Sequence, residues 1–296
     1  MNREYTPEIL KKLQQYELQI LKDFIKVCEE NNLSYFAFAG TAIGAVRHKG
    51  FIPWDDDIDV AIPRADYDKL IEVFKRDYAD KYYILNAAEC DKYPLMTTRI
   101  CLKDSMFVER FFKHLDAPLG IFLDVYPLDT PASDEKEHKH QQRTAFILGK
   151  LLILKHCPFP LIPFKGFKGK LVHAATWCVW AVLNILGISH KAIYNKAITC
   201  TRKHNGEESD YYEHFFSQKY AGGVNLKSDI FPLKKLPFED IEVCFMNNYE
   251  KELRDSFGDY MQLPPPEKRK NHFPHILKFP NEEPITNQQT PTETTV

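Results

Sequence analysis

Paired cysteine spacing is missing from this chain of 296 residues: Cys28, Cys90, Cys101, Cys157, Cys178, Cys200 and Cys244 are odd in number and nowhere form Cys-x-x-Cys. Neither a disulfide framework nor a zinc cage fits, and buried, reduced thiols are expected. An excess of one charge is missing too. With 39 Lys and Arg against 41 Asp and Glu, the formal net charge is −2, so no basic field recruits nucleic acid and any anion must be bound locally. The opening MNREYTPEILKKL has no apolar core and no small-residue cleavage site. A secretory leader is therefore not expected, and a cytoplasmic location is, at most against the inner face of the membrane. Long apolar runs are scarce. The run Leu171 to Ile188 holds 18 residues including His173 and Asn184, the lower limit for crossing a bilayer. Residues 145–190 are expected as a helical insertion, buried or in peripheral contact with a membrane.

What the chain does have is concentrated in FAFAGTAIGAVRHKGFIPWDDDIDVAIPR, from Phe36 to Arg64. The pattern predicts a strand, a helix start, a basic turn and a second, acid-bearing strand. In DIDVAI, Asp57 and Asp59 share one face of that strand while Ile58, Val60 and Ile62 point the other way, into a core. Two neighbouring anions repel unless a cation sits between them. A hard divalent ion takes one or two carboxylates and fills its shell with water and phosphate oxygens, so the pair is a candidate Mg²⁺ site. A calcium-binding loop fails in detail: Val60 stands where the turn glycine belongs, and Asp66 where a bidentate Glu is required. Upstream, a helix start at Gly40 and Thr41 offers a phosphate unpaired N–H groups, a positive dipole end and a hydroxyl. With Gly44 in the same turn and Arg47, His48 and Lys49 following, these are the substrate-binding candidates. Each piece alone has a plainer reading, as a solvated acidic loop or an ordinary turn; it is their adjacency that points to phosphate chemistry.

The rest of the chain frames this stretch. Thr6 as cap, Pro7 at the first helical position, and Leu13, Tyr16, Ile20, Phe24 and Val27 at three- and four-residue intervals predict a packing helix over 7–30 without chemistry. A strand over 33–39 leads into the phosphate loop. A helix over 64–78 follows Pro63, with Asp66 and Asp68 solvated in its first turns. Strands are expected at 82–85, 97–102 and 106–112, the last two joined by Lys103-Asp104-Ser105. Arg99 reads either as a surface residue or as an inward phosphate contact. In GIFLDVYPLD, over 120–129, Phe122, Asp124 and Tyr126 alternate onto one face and Ile121, Leu123 and Val125 onto the other. An isolated ion in so apolar a strand costs on the order of tens of kcal/mol, so Asp124 needs a metal, a basic partner or a raised pKa. Asp129 is its substitute. Trp54 either packs under its turn or turns its face to a cation. Beyond Pro131, DEKEHKHQQR reads as a solvated charged face, 191–217 as a polar helix and loop, and Gly222-Gly223 as a turn. A strand pair and a helix over 248–257 follow. Lys268, Arg269 and His272 either close over a nucleotide or form an exposed basic end, and 281–296 reads as a disordered tail.

GTAIGAVRHKGFIPWDDDIDVAIPRADY resembles the signature of the LicD family, and the likeness extends over 33–130 and again over 231–272. It implies an α/β fold of the nucleotidyltransferase (polymerase β) type: a core over 1–130, a mainly helical insertion over 131–220, and a part over 221–280 that completes the core. It implies that Asp124 is the third carboxylate, so that Asp57, Asp59 and Asp124 are catalytic and bind one or two Mg²⁺, with Mn²⁺ as a substitute. The implied donor is a CDP-activated small alcohol, CDP-choline first, and the implied acceptor a sugar hydroxyl of a cell-surface glycan or its lipid-linked precursor, with CMP leaving. Trp54 and Tyr126 are then the candidates for holding choline. The alternatives are ribitol or glycerol phosphate transfer from a CDP-polyol, a cytidylyltransferase, and a catalytically silent glycan- or membrane-binding module. One departure from the family pattern is Met246-Asn247, where relatives usually carry Pro before the following helix.

Overall fold

Thr6 caps the first helix by accepting a hydrogen bond from the Ile9 amide, and α1 (Pro7–Glu30) turns Leu13, Glu17, Ile20, Leu21, Phe24 and Val27 inward. The computed structural model describes residues 5–160, 162–216, 223–269 and 271–286. After β1 (Phe36–Ala37), α2 (Ala39–His48) begins ahead of Gly40, so the expected strand over 33–39 is cut short. The chain turns there through a positive φ of 45° at Ala39. β2 (Asp59–Pro63) and α3 (Arg64–Asp77) follow, then β3 (Tyr82–Leu85), β4 (Thr98–Leu102), β5 (Met106–Val108) and β6 (Phe122–Leu128).

The central sheet has the order β1-β2-β6-β4-β3. Its middle pair, β2 and β6, is parallel, with Asp59 opposite Asp124; β4 runs antiparallel to β6 and sets Arg99 opposite the same Asp124. Ile58, Val60, Ile62, Leu123 and Val125 join the apolar stripe of α1 and the inner face of α3 in the main core. Full burial of each such side chain contributes about 1.5–3 kcal/mol. The opposite face carries Ala61 and Leu128 against Phe36, Ile230 and Met246. Both faces of the middle strands are therefore covered, which explains their almost unbroken apolar sequence.

β5 departs from expectation. It does not form a hairpin with β4, and a 3-10 turn at Arg110–Phe112 ends it early. Its partner is distant, in a three-stranded sheet ordered β12-β11-β5. Between them come α4 (Glu135–His156), α5 (Gly166–Ile185), α6 (His190–Thr201), the pair β7 (Tyr211–Glu213) and β8 (Val224–Leu226), and α7 (Lys227–Ile230). The hairpin of β9 (Lys234–Phe238) and β10 (Ile241–Phe245), α8 (Tyr249–Phe257), β11 (Ile276–Lys278) and β12 (Ile285–Thr286) complete the order.

DEKEHKHQQR is not simply solvated: it opens α4, buries Gln141 and Gln142, and brings His138 Nε2 to 2.5 Å from Glu213 Oε2. Asp66 accepts from the Ser34 amide at 3.0 Å and Asp68 pairs with Arg202, so neither is merely solvated. The expected tail is ordered through β12 as far as residue 286. Its remainder over 287–296, and Gly222 of the expected turn, lie outside the described residues. Among the described residues no single helix is long and apolar enough to cross a membrane.

Candidate functional site

The polar face of the central sheet opens into a cavity of about 990 Å³. Asp57, Arg99, Asp124 and Tyr126 stand on its floor, Phe111, Phe112 and Phe146 on its walls, and Phe38 and Ala39 bring the start of α2 to its edge. Each strand contributes by alternation: the residues between these, such as Val60, Leu123 and Val125, face the core instead.

Asp59 is positioned through its backbone, whose N–H donates to Thr41 Oγ1 at 2.8 Å. Thr41 thus ties α2 to the acid strand. The carboxylate of Asp59 is buried, and its Oδ1 has no hydrogen-bond partner among the described residues. Burial, then Asp57 and Asp124, push it well above the usual carboxylate range, and only a hydrogen bond from Tyr126 works the other way. Burial raises Asp57 to about 6, with His272 opposing and Asp56 and Asp124 adding to the rise. Asp124 is raised by burial and restrained by Arg99, whose Nε lies 3.2 Å from Oδ1.

Arg99 is therefore the inward residue of its two readings. Its Nη1 donates to Glu109 at 2.7 Å and its guanidinium stacks 3.7 Å above the Phe122 ring. One guanidinium shared between two acids leaves Asp59 with no positive partner among the described residues. An orphaned buried oxygen and an all-carboxylate donor set are what a hard divalent cation requires, so these residues fit Mg²⁺.

His272 lies in the segment between α8 and β11. Its backbone N–H donates to Asp56 at 2.8 Å, and its Nδ1 sits 3.3 Å from both Asp56 and Asp57. The Tyr5 hydroxyl donates to Asp56 from the other side at 2.6 Å. Asp56, Asp57 and His272 are close enough to share a cation. However, hydrogen bonding to Asp56 lifts His272 to about 10, and a protonated imidazole has no lone pair to offer. It acts as a positive charge beside the acids. Sequence reasoning left His272 ambiguous because no local pattern signals a contact made across the whole chain.

A second residue was missed outright. Glu17 is fully buried on α1, both of its carboxyl oxygens lack partners among the described residues, and burial followed by Asp56 and Asp57 raises it well above its usual range. Its signal was available: an acid in register with Leu13, Ile20 and Phe24.

Several expected substrate residues serve the scaffold. A Cβ on Gly40 would come within 2.8 Å of Asp55 Oδ2, and one on Gly44 within 2.5 Å of the Gly50 carbonyl, so both glycines allow close packing. Arg47 donates to the Tyr260 carbonyl at 2.7 Å and to His48 at 2.9 Å. Trp54 is covered by the Arg269 guanidinium 4.4 Å above its ring. None of Gly40, Thr41, Gly44, Arg47, His48 or Trp54 lines the cavity, whereas Tyr126 does. Asp129 is no substitute for Asp124: Arg64 grips it bidentately at 2.8 and 2.7 Å, and Asn205 donates to it at 2.6 Å. Although burial opposes ionisation, that guanidinium holds Asp129 below the usual range.

The chain is 27% identical over 274 residues to the lipopolysaccharide cholinephosphotransferase LicD of Haemophilus influenzae, covering 86% of this chain and 92% of that protein. An uncharacterised protein of Rickettsia typhi is 30% identical over 118 residues, 38% of this chain and 33% of its own length. Another, from Rickettsia prowazekii, is 26% identical over 165 residues, 48% of this chain and 60% of its own. Residues 32–168 match the family model for the LicD/FKTN/FKRP nucleotidyltransferase domain. That stretch contains both acid-bearing strands, β2 and β6, and over residues 32–168 the chain carries a LicD-type domain.

Proposed function

We propose that this chain is a phosphotransferase with a nucleotidyltransferase-type core that moves phosphocholine from CDP-choline to a sugar hydroxyl of lipopolysaccharide or its lipid-linked precursor. The observation that carries the reading is the opposition of Asp59 and Asp124 on parallel strands beside a large, aromatic-walled cavity. The similarity to the Haemophilus influenzae enzyme supports the choice of phosphocholine.

Asp57, Asp59 and Asp124 would hold Mg²⁺, or Mn²⁺ in its place, which neutralises charge on phosphate oxygens and lowers the pKa of a bound hydroxyl. In the proposed reaction the acceptor oxygen bonds to the choline-bearing phosphorus. The bond from that phosphorus to CMP breaks, and CMP departs with the electron pair. The acceptor's proton passes to Asp124, whose Oδ2 lies outside its bond to Arg99. Arg99 in turn fixes Asp124, being itself anchored by Glu109 and Phe122. Phe111 and Tyr126 offer the trimethylammonium group aromatic faces, the usual means of holding a cation without hydrogen-bond donors. Trp54 is not part of this wall.

Polyol phosphate transfer is the second reading, favoured by Asn225 and Ser256 in the same cavity, which suit hydroxyl groups. One panel separates these readings. The purified chain is incubated with Mg²⁺, lipopolysaccharide and, in turn, CDP-choline, CDP-ribitol, CDP-glycerol, or CTP with phosphocholine. CMP release from CDP-choline, abolished by chelation, is expected. Preference for a CDP-polyol moves the assignment to the second reading, pyrophosphate release from CTP makes the chain a cytidylyltransferase, and no product from any donor leaves it without this activity.

A further inference from the structure

A helix that is apolar on all sides belongs in a core, yet α5 buries only Gly169 and Leu183 of its 20 residues. At 100° per residue, Phe167, Leu171, Val182 and Ile185 fall on one stripe. That stripe faces outward, with exposures of 81%, 62%, 52% and 83%. The buried residues Gly169 and Leu183 lie on the opposite side, and among the described residues α4 packs against the helix.

The charge around this surface is one-sided. Residues 138–206 contain no Asp or Glu and 11 Lys or Arg, in a chain with 41 acids. Lys168 and Lys170 flank the apolar stripe on either side, and Lys165 precedes the helix as a cap residue whose side chain makes no capping hydrogen bond. Cations are disfavoured at the N-terminal end of a helix by its dipole, and no acid within α5 or its flanks compensates them. This placement is unfavourable for the isolated helix and favourable if anions lie outside it.

We propose that α5 docks on an anionic lipid bilayer, lying flat, with its exposed stripe among the acyl chains and Lys165, Lys168 and Lys170 on the headgroup phosphates. Crossing the bilayer does not suit it. α5 alone is not apolar enough over its length, and α6, which could extend it, turns away by 103° and buries Ile193 and Ala197. The proposal does not depend on the reaction assigned above.

Vesicle flotation of the full chain tests it, with vesicles of phosphatidylcholine alone and of phosphatidylcholine mixed with phosphatidylglycerol. The chain is expected to float with the anionic vesicles at low salt, to release as salt rises, and to show a blue shift of the emission of Trp177, which flanks the stripe, on binding. Replacing Lys165, Lys168 and Lys170 together by Gln is expected to weaken partition roughly 100-fold. The pair Phe167→Ser and Ile185→Ser should abolish it. All five positions are exposed, so melting temperature and CMP release should stay unchanged. Absence of flotation with anionic vesicles at low salt overturns the proposal, as does equal binding to neutral vesicles that ignores the lysine changes. A dimer seen by light scattering and dissolved by Phe167→Ser with Ile185→Ser would assign the face to a second copy and overturn it as well.

Discussion

At Asp59 the backbone is anchored, one carboxylate oxygen is orphaned, and two like charges stand close by. A neutral amide of the same shape keeps the anchor and relieves the repulsion. Asp57→Asn and Asp59→Asn are accordingly expected to lower CMP release by on the order of 10³-fold, the scale felt when one group stabilising the transition state is lost. Their melting temperatures should be unchanged or raised. A variant that unfolds instead would make these acids structural. Asp129 is the contrasting case, an acid whose work is done within the fold. Asp129→Asn leaves Arg64 buried with a broken pair, and denaturant melts should show a loss of about 3–5 kcal/mol while folded molecules still turn over. The folded pKa of Asp129 lies below its unfolded value, so the stabilisation is complete above about pH 4 and fades as pH falls through the folded value. The stability gap between wild type and Asp129→Asn should narrow in acid; a constant gap would remove the ion pair as its cause. Alternation placed Asp57 and Asp59 on one face and Asp124 inside an apolar strand, while the choice of Asp124 as third acid came from the LicD resemblance. Alternation could not tell Arg99 outward from inward, because both faces of this sheet are covered, nor show that Trp54 lies beneath Arg269, a residue from a distant segment.

Helices α1 and α3 were readable from caps, prolines and apolar spacing, since those signals are local. β5 was not, because a short turn after β4 mimics a hairpin while its actual partner, β11, comes from the far end of the described chain. That pairing helps to set the segment carrying His272 against Asp56 and Asp57. Loss of a group that orients metal-binding acids typically costs roughly 10–100-fold in affinity or activity. His272→Ala is expected to lower kcat/KM by that factor at saturating Mg²⁺ with little change in melting temperature. Unaltered kinetics would make the imidazole a bystander.

For the molecule as a whole, α4 is shared: it lines the cavity with Phe146 and Gly149, and it supports α5 and α6. The helical part is thus one wall of the site and not an appendage, which sequence composition, showing only a change of character after Pro131, did not reveal. With Mg²⁺ held by these acids as proposed, the ion would be tied to global stability. Binding at 100 times the dissociation constant adds about 2.7 kcal/mol, so Mg²⁺ should raise the melting temperature of wild type and not of Asp59→Asn. An equal rise in both would place the ion elsewhere.

Asp56 is gripped by Tyr5 from the front of the described chain and by His272 from near its back. Translation delivers these partners in order, the acids of β2 and β6 well before the imidazole of His272. A nascent chain therefore carries Asp55, Asp56, Asp57, Asp59 and Asp124 without the counter-charge of His272 until residue 272 has emerged. A chain stopped before that residue lacks this clasp, so the site is complete only once a segment more than 140 residues beyond β6 has been made.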